Sequence, residues 1–286
     1  YASEYARKNI VRIELVSGTY DKTTLVSGME RAPLGLALPA AEDRLLIASN
    51  AGYIVTLAPL PPVVVYGVYD LVSGVVNAQD VSLAQGDQMA YVASYFQKKV
   101  YLVDLESKAV TTLTTTSGVA TSSAMGNGVL FVADLGSGGR ICKADLLISS
   151  TCTTVASVTN PHQIALPESR DVIYVTERNE NRVRRLHLKA DNTELSSDVA
   201  VEGITEPWGL AVSRDGTVLY VGEDAEAGAD KIWKVVVSAS GTSTNKVDIA
   251  TGLDRVLGLV LNRAETVLYA SEYARKNIVR IELVSG

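Results

Sequence analysis

Asn160, His162, Glu206, Trp208 and Arg255 have the types suited to gripping a small polar molecule. An amide, an imidazole, a carboxylate and a guanidinium supply donors and acceptors, and an indole supplies an apolar wall. They share a position in the sequence. Each stands at, or two residues before, a dipeptide that opens a short apolar segment recurring every 40 to 49 residues. The corresponding positions elsewhere are bland: Ala32, Val76 and Ala120 before the segments, with Leu34, Ala78, Ser122 and Leu257 opening them. A polar pocket with one aromatic side is one reading. A rim of ordinary capping residues is the other.

The catalytic inventory is otherwise poor. No Gly-x-Ser-x-Gly elbow and no phosphate-binding loop occurs. Zinc usually takes four ligands, and the chain has two histidines, His162 and His187. The acidic stretch EDAEAGAD, Glu223 to Asp230, lacks the spacing of an EF-hand and reads as a solvated loop. Hence no catalytic residue and no bound metal is expected.

The elements that would position the polar set are strands. A strand ending in a small or acidic residue recurs as LLIAS from Leu45, MAYVAS from Met89, VLFVAD from Val129, VIYVTE from Val172, VLYVGE from Val218 and VLYASE from Val267. A polar loop and a second apolar strand follow each copy, from IVTL at Ile54 to IVRIEL at Ile278. Before each pair stands an anchor dipeptide: Leu34-Gly35, Ala78-Gln79, Ser122-Ser123, His162-Gln163, Trp208-Gly209 and Leu257-Gly258. After each pair comes a more polar strand (VVVY from Val63, VTTL from Val110, TTLV from Thr23), suited to an outer edge. Four short strands per unit, repeated six times without helical periodicity, predict an all-β six-bladed β-propeller of antiparallel strands.

The stretch YASEYARKNIVRIELVSG occurs as both residues 1–18 and residues 269–286, which fixes a period of 268 residues. The anchor spacings, taken around the ring, return the same period. Residues 19–286 are therefore expected to form the propeller, with blade six completed across the termini. Residues 1–18 are a spare copy, an overhang or the end of a neighbouring unit. In that copy Tyr1, Tyr5, Arg7, Ile10, Val11, Ile13 and Leu15 are the expected assembly residues, and self-association or a neighbouring propeller the expected partner. The chain opens in mid-strand, so a longer gene product is anticipated.

Composition narrows the partners. Hydrophobic residues make up 47% and charged residues 20%, as in ordinary globular proteins. A net charge of −6 with no basic block argues against nucleic acid, whose binding rests on neutralising phosphates. The short basic clusters, Arg182, Arg184 and Arg185, and Arg275, Lys276 and Arg280, lie beside acidic residues and read as solvated edges. No run is long and apolar enough to span a membrane as a helix. Cys142 and Cys152 face each other if CKADLLISSTC is a hairpin. A disulfide is one outcome and would favour an extracellular setting; two buried thiols are the other.

The units resemble NHL repeats. EPWGLAVSRDGTVLYVGE, Glu206 to Glu223, is similar to that family's run of proline, glycine, apolar strand, Asp-Gly and Tyr-Val. YVTERNENRV, Tyr174 to Val183, is similar to its following strand and Asn-Arg-Val step. The units at Ala78 and Ser122 lack the proline and glycine and depart from the pattern. The resemblance implies the propeller and leaves function open, since its members include scaffolds, binders and enzymes. The histidine-bound zinc implied by the amidating lyases has no counterpart here. The gluconolactonase and paraoxonase relatives imply a Glu, Asn, Asn, Asp calcium set, which Glu206, Asn160, Asn77 and Asp80 imitate in composition. The leading expectation is a non-enzymatic interaction module in an extracellular array or filament. The alternative is a small-molecule or calcium-dependent, lactonase-like site in the central channel.

Overall fold

A computed structural model describes residues 22–60, 65–84, 86–146, 151–225, 228–239 and 242–283. The expected assembly residues in 1–18 lie outside these. The described chain is a six-bladed β-propeller of four-stranded antiparallel sheets. Its inner strands are Pro33–Ala37, Ala78–Leu83, Ala120–Gly126, Pro161–Ala165, Pro207–Val212 and Val256–Leu261. Each touches the next, and the first touches the last, so the ring closes. Blades one to six are numbered by these strands. Lys22–Val26 pairs with Asn277–Glu282 and supplies the outer strand of blade six, tying the two ends of the ring.

The hydrophobic pattern explains the stacking. The second strands, Leu45–Ser49, Met89–Ser94, Val129–Asp134, Val172–Glu177, Val218–Glu223 and Val267–Glu272, are buried almost throughout, because both faces meet a neighbouring blade. The described core falls into six clusters, one at each blade–blade interface. Outer strands fade: in Val110–Thr115, Thr111 and Thr112 are exposed. The outer strand of blade one runs over Val65–Ser73, and its expected start at Val63 lies outside the described residues.

The acidic residue ending a second strand has a structural task. Glu177 accepts the Thr159 amide at 2.8 Å, Glu223 the Thr205 amide at 3.3 Å and Glu272 the Asp254 amide at 3.1 Å. Each carboxylate thereby caps the loop entering its own blade. At the opposite face, turn residues latch neighbouring blades: Asp87 accepts the Ala40 amide, Glu42 the Arg263 amide and Glu265 the Arg214 amide. The basic cluster of blade four is likewise internal to the fold. Arg182 and Arg184 pair with Glu177, and Arg185 is buried against Asp198.

Cys142 and Cys152 form a disulfide in blade three, with Cα atoms 5.4 Å apart. Among the described residues no helix is long and apolar enough to cross a membrane. Both facts are compatible with a secreted protein. Closing a loop of ten residues in sequence separation limits the unfolded chain more than the native one. Reduction, or paired replacement by alanine, is expected to cost about 2 kcal/mol in urea unfolding. An unchanged midpoint would show that blade three does not depend on the bond.

Candidate functional site

Pairing registers place the polar set on one ring. Ile164 faces Val175, Leu210 faces Val221, Val81 faces Val92 and Ser123 faces Val132. Leu34, Gln79, Thr121, His162, Trp208 and Leu257 are therefore equivalent, and Gly35, Asp80, Ser122, Gln163, Gly209 and Gly258 form the ring below. The sequence anchor of blade two falls one residue early and that of blade three one residue late. In those blades no Pro-x-Gly marks the register. Every inner strand also carries a register shift at its first residues, as a bulge does, which re-aims the side chains there.

The residues entering these strands adopt the left-handed conformation. Asn77, Asn160, Glu206 and Arg255 have φ of 53°, 48°, 43° and 58°. Asparagine accepts this readily, whereas glutamate and arginine need the surrounding structure to hold them there. Glu206 is held by its amide on Asn181 Oδ1 at 2.8 Å, and Arg255 by its amide on Asp230 Oδ2 at 2.7 Å.

The expected rim residues are brought together. His162 Nε2 lies 3.1 Å from Asn160 Oδ1, and its ring stacks on Trp208 at 3.8 Å between centroids. Arg178, absent from the sequence reading, joins this pair to the rest. It sits over Trp208 at 5.7 Å, pairs with Glu206 and lies 3.2 Å from Asp224. Asp224 also takes Arg255 at 2.6 Å, and Arg255 rests on the Tyr273 ring at 4.8 Å. The stretch from Glu223 to Asp230 is anchored at both ends, while Ala225, Gly228 and Ala229 between them are exposed. Glu223, Asp224 and Asp230 are buried in caps and ion pairs.

Beside this chain of contacts a cavity of about 310 Å³ opens at the channel mouth. Leu34, Trp208 and Leu257 line it and leave it open. Asn77 and Gln79 also line it, and neither amide has a hydrogen-bond partner among the described residues. Tyr95 and Phe96 form its outer edge, their rings edge-to-face at 4.9 Å, with Phe96 70% exposed. Gln79 escaped sequence reading because of the slipped register. Tyr95 and Phe96 escaped because a loop aromatic carries no periodic signal.

Below the mouth the channel has two halves. Where blades six and one meet, glycine permits contact: a Cβ on Gly258 would lie 2.2 Å from the Leu34 carbonyl oxygen. Blades two to four instead carry side chains. Asp80 is fully buried, accepts the Ser122 hydroxyl at 2.7 Å and is bonded by the Gln163 side chain. Burial pushes its carboxyl up to about 6, and Ser122, Gln163 and two backbone amides moderate the rise. Its Oδ1 has no partner and lies against Gly35, where a Cβ would come within 2.1 Å.

The four residues that imitate a calcium set do not make one donor set. Glu206 is neutralised by Arg178, Asn160 is engaged with His162, and Asp80 is buried against Ser122. Two guanidiniums stand where calcium would need anionic oxygen. Among the described residues no three His, Cys, Asp or Glu side chains converge to hold a metal.

No family model matches the chain, and no curated protein matches it. The likeness to NHL repeats therefore reaches the propeller fold alone. Solved structures do match. A gluconolactonase from Xanthomonas campestris superposes with a TM-score of 0.73 at 10% identity, over 97% of this chain and 96% of its own. A calcium-binding protein from Agrobacterium tumefaciens, regucalcin, gives 0.68 at 11% identity over 90% and 92%. A carbohydrate-active enzyme of family AA12 from Trichoderma reesei gives 0.70 at 11% identity over 96% and 99%. The expectation of a non-enzymatic structural module is corrected by this set, whose members on the same fold are enzymes or ligand binders. At this identity the match establishes the six-bladed fold.

Proposed function

We propose that the channel mouth is a small-molecule site whose reaction class is hydrolysis of a lactone-type ester. The observation that carries this reading is the cavity with two unpartnered amides, Asn77 and Gln79, facing aromatic walls. Buried or half-buried amides without partners cost stability unless a ligand or water completes them. The strained backbone at Glu206 and Arg255 beside the cavity supports the same place.

In ring opening, water adds to the ester carbonyl carbon, the carbonyl oxygen becomes an oxyanion, and the ring C–O bond breaks. The ring oxygen leaves with a proton, giving a hydroxy acid. Donors aimed at the oxyanion are worth about 10² to 10³ in rate each. The Asn77 and Gln79 amides, the Arg255 guanidinium, the Asn50 amide and the Tyr273 hydroxyl are donors in this mouth. Trp208 and Leu257 provide the apolar bed for the ring. Calcium, which the relatives bring to mind, has no fitting donor set here, and no step is assigned to it.

A pH-stat assay with D-glucono-1,5-lactone and with δ-valerolactone, the same ring without hydroxyls, tests the reading. Turnover above the buffer rate is expected, falling about tenfold to a hundredfold in Gln79→Ala. Absence of turnover, together with no quenching of Trp208 fluorescence by either lactone, would remove it.

A further inference from the structure

Among the described residues four large hydrophobic side chains are exposed, and two of them stand on blade two beside the channel mouth: Phe96 at 70% and Val76 at 45%. Single exposed hydrophobics are ordinary, but a pair of them beside a cavity is the mark of a ligand groove. Backbone bonds fasten their two segments together. The Tyr95 amide donates to the Asn77 carbonyl at 3.0 Å, and the Ser94 hydroxyl donates to the Val76 carbonyl at 2.6 Å. Phe96 lines the cavity, with the Tyr95 ring edge-to-face against it.

The rest of the outer edge is polar and already engaged. Asn50 Nδ2 donates to the Tyr273 hydroxyl at 3.3 Å, and Arg255 rests on the Tyr273 ring while pairing with Asp224. Deeper in, the inner strands present Leu34, Gln79, Trp208 and Leu257. A ligand therefore meets amides and apolar walls inside, and an apolar exit over blade two. Size sharpens the point. At about 30 Å³ for each non-hydrogen atom, a cavity of about 310 Å³ holds roughly ten of them. δ-Valerolactone fills about two thirds of that space, a side chain of about three carbons completes it, and a longer chain has to emerge.

We propose that the channel mouth takes amphiphilic lactones, with the ring at the Asn77 and Gln79 amides and an alkyl side chain leaving over the Phe96 ring. Phe96 is then a specificity-determining residue: it shields the part of the chain that the cavity cannot hold. The inference rests on the hydrolase reading above and names its substrate class.

The test is a homologous series of δ-valerolactone and its propyl- and pentyl-substituted forms, followed by pH-stat. Burying a methylene is worth up to about fourfold, so kcat/KM is expected to rise about twofold to fourfold per carbon. The step from propyl to pentyl, about fourfold to fifteenfold, should shrink to about twofold or less in Phe96→Ala and survive in Phe96→Leu. The ring is 70% exposed, so both variants are expected to fold. A propyl-to-pentyl step unchanged in Phe96→Ala overturns the proposal. So does a higher kcat/KM for D-glucono-1,5-lactone than for the pentyl compound. If no lactone is hydrolysed, the hydrolase reading fails, and the side-chain seat is judged by calorimetry with δ-valerolactam and its pentyl-substituted form. Tighter binding of the pentyl lactam, with a more negative heat-capacity change that Phe96→Ala diminishes, supports the seat. Equal affinity for the two lactams overturns it. Sedimentation covers the remaining case: if Phe96→Ala turns a self-associating protein into a monomer with the propyl-to-pentyl step intact, the ring is a protein contact and the proposal falls.

Discussion

Asp80→Asn is expected to stabilise the folded protein by about 3 kcal/mol at about pH 7.5, with the gain gone by about pH 4. Burial lifts this carboxyl from 3.8 to about 6 in the folded chain. The folded state therefore binds a proton between those values that the unfolded state has already released. Folding is favoured by Asp80 chemistry at low pH, and that advantage is lost as the pH rises through about 6. Two units correspond to about 3 kcal/mol. Asparagine removes the ionisation and keeps a carbonyl to accept from Ser122, whose hydroxyl lies 2.7 Å away. Urea unfolding at the two pH values reads the effect directly. A variant destabilised equally at both would mean that Asp80 is compensated in the folded state. A costly carboxylate one residue below Gln79, itself in the cavity wall, fits the pattern of stability given up next to a working site.

The propeller was legible because its signals are periodic. Apolar strands ending in Asp134, Glu177, Glu223 and Glu272 recur once per four-stranded unit, and the structure shows why the acids stand there: they cap incoming loops. The polar rim was half legible. Asn160, His162, Glu206, Trp208 and Arg255 follow regular anchors, and the fold does gather them. Arg178 and Asp224 were hidden, because each lies after a strand whose pattern ends before it. Their partners come from neighbouring blades, a relation that sequence order does not carry. Gln79 was lost to a register slip of one residue, which in a strand turns a side chain to the opposite face. The module reading failed for a different reason. It weighed the terminal duplication, the missing catalytic motifs and the disulfide, but a pocket assembled from separate segments of four blades leaves no motif to find.

The divergent blades show how the ring tolerates that loss of pattern. Blade three lacks the proline and glycine of blades one and five, yet it holds the disulfide and a densely bonded aspartate. Blade two contributes Asp80 and the two unpartnered amides. The half of the channel that departs most from the repeat is also the half that carries polar side chains at its waist. Glycine at the equivalent positions of blades one, five and six lets backbones touch. Loss of those glycines in blades two to four leaves room that only side chains fill, and chemistry follows from that exchange.

Asp134→Asn should be the mirror image of Asp80→Asn, costing about 3 to 5 kcal/mol near neutral pH. This side chain is buried like that of Asp80, but every direction around it holds a donor. Oδ1 accepts the Gly118 and Gly136 amides at 2.9 Å each. Oδ2 accepts the Ser117 amide at 3.1 Å, its hydroxyl at 2.9 Å and the Arg140 Nε at 2.9 Å. Burial alone would raise the carboxyl; the Gly136 amide, Arg140 and Ser117 outweigh it and hold it below the ordinary carboxylate range. The stabilisation is present above the unfolded value of about 3.9 and is lost as pH falls through the lower folded value. An asparagine amide would turn two N–H groups toward donors and leave Arg140 without its charge partner. Gly118 and Gly136 cannot relax around it, since a Cβ on Gly118 would already meet the Gly136 Cα at 2.2 Å. Urea unfolding should show the loss at neutral pH, and the difference between the two proteins should shrink on acidification below about pH 4. A loss under about 1 kcal/mol at neutral pH would show that the loop between blades two and three folds without its carboxylate.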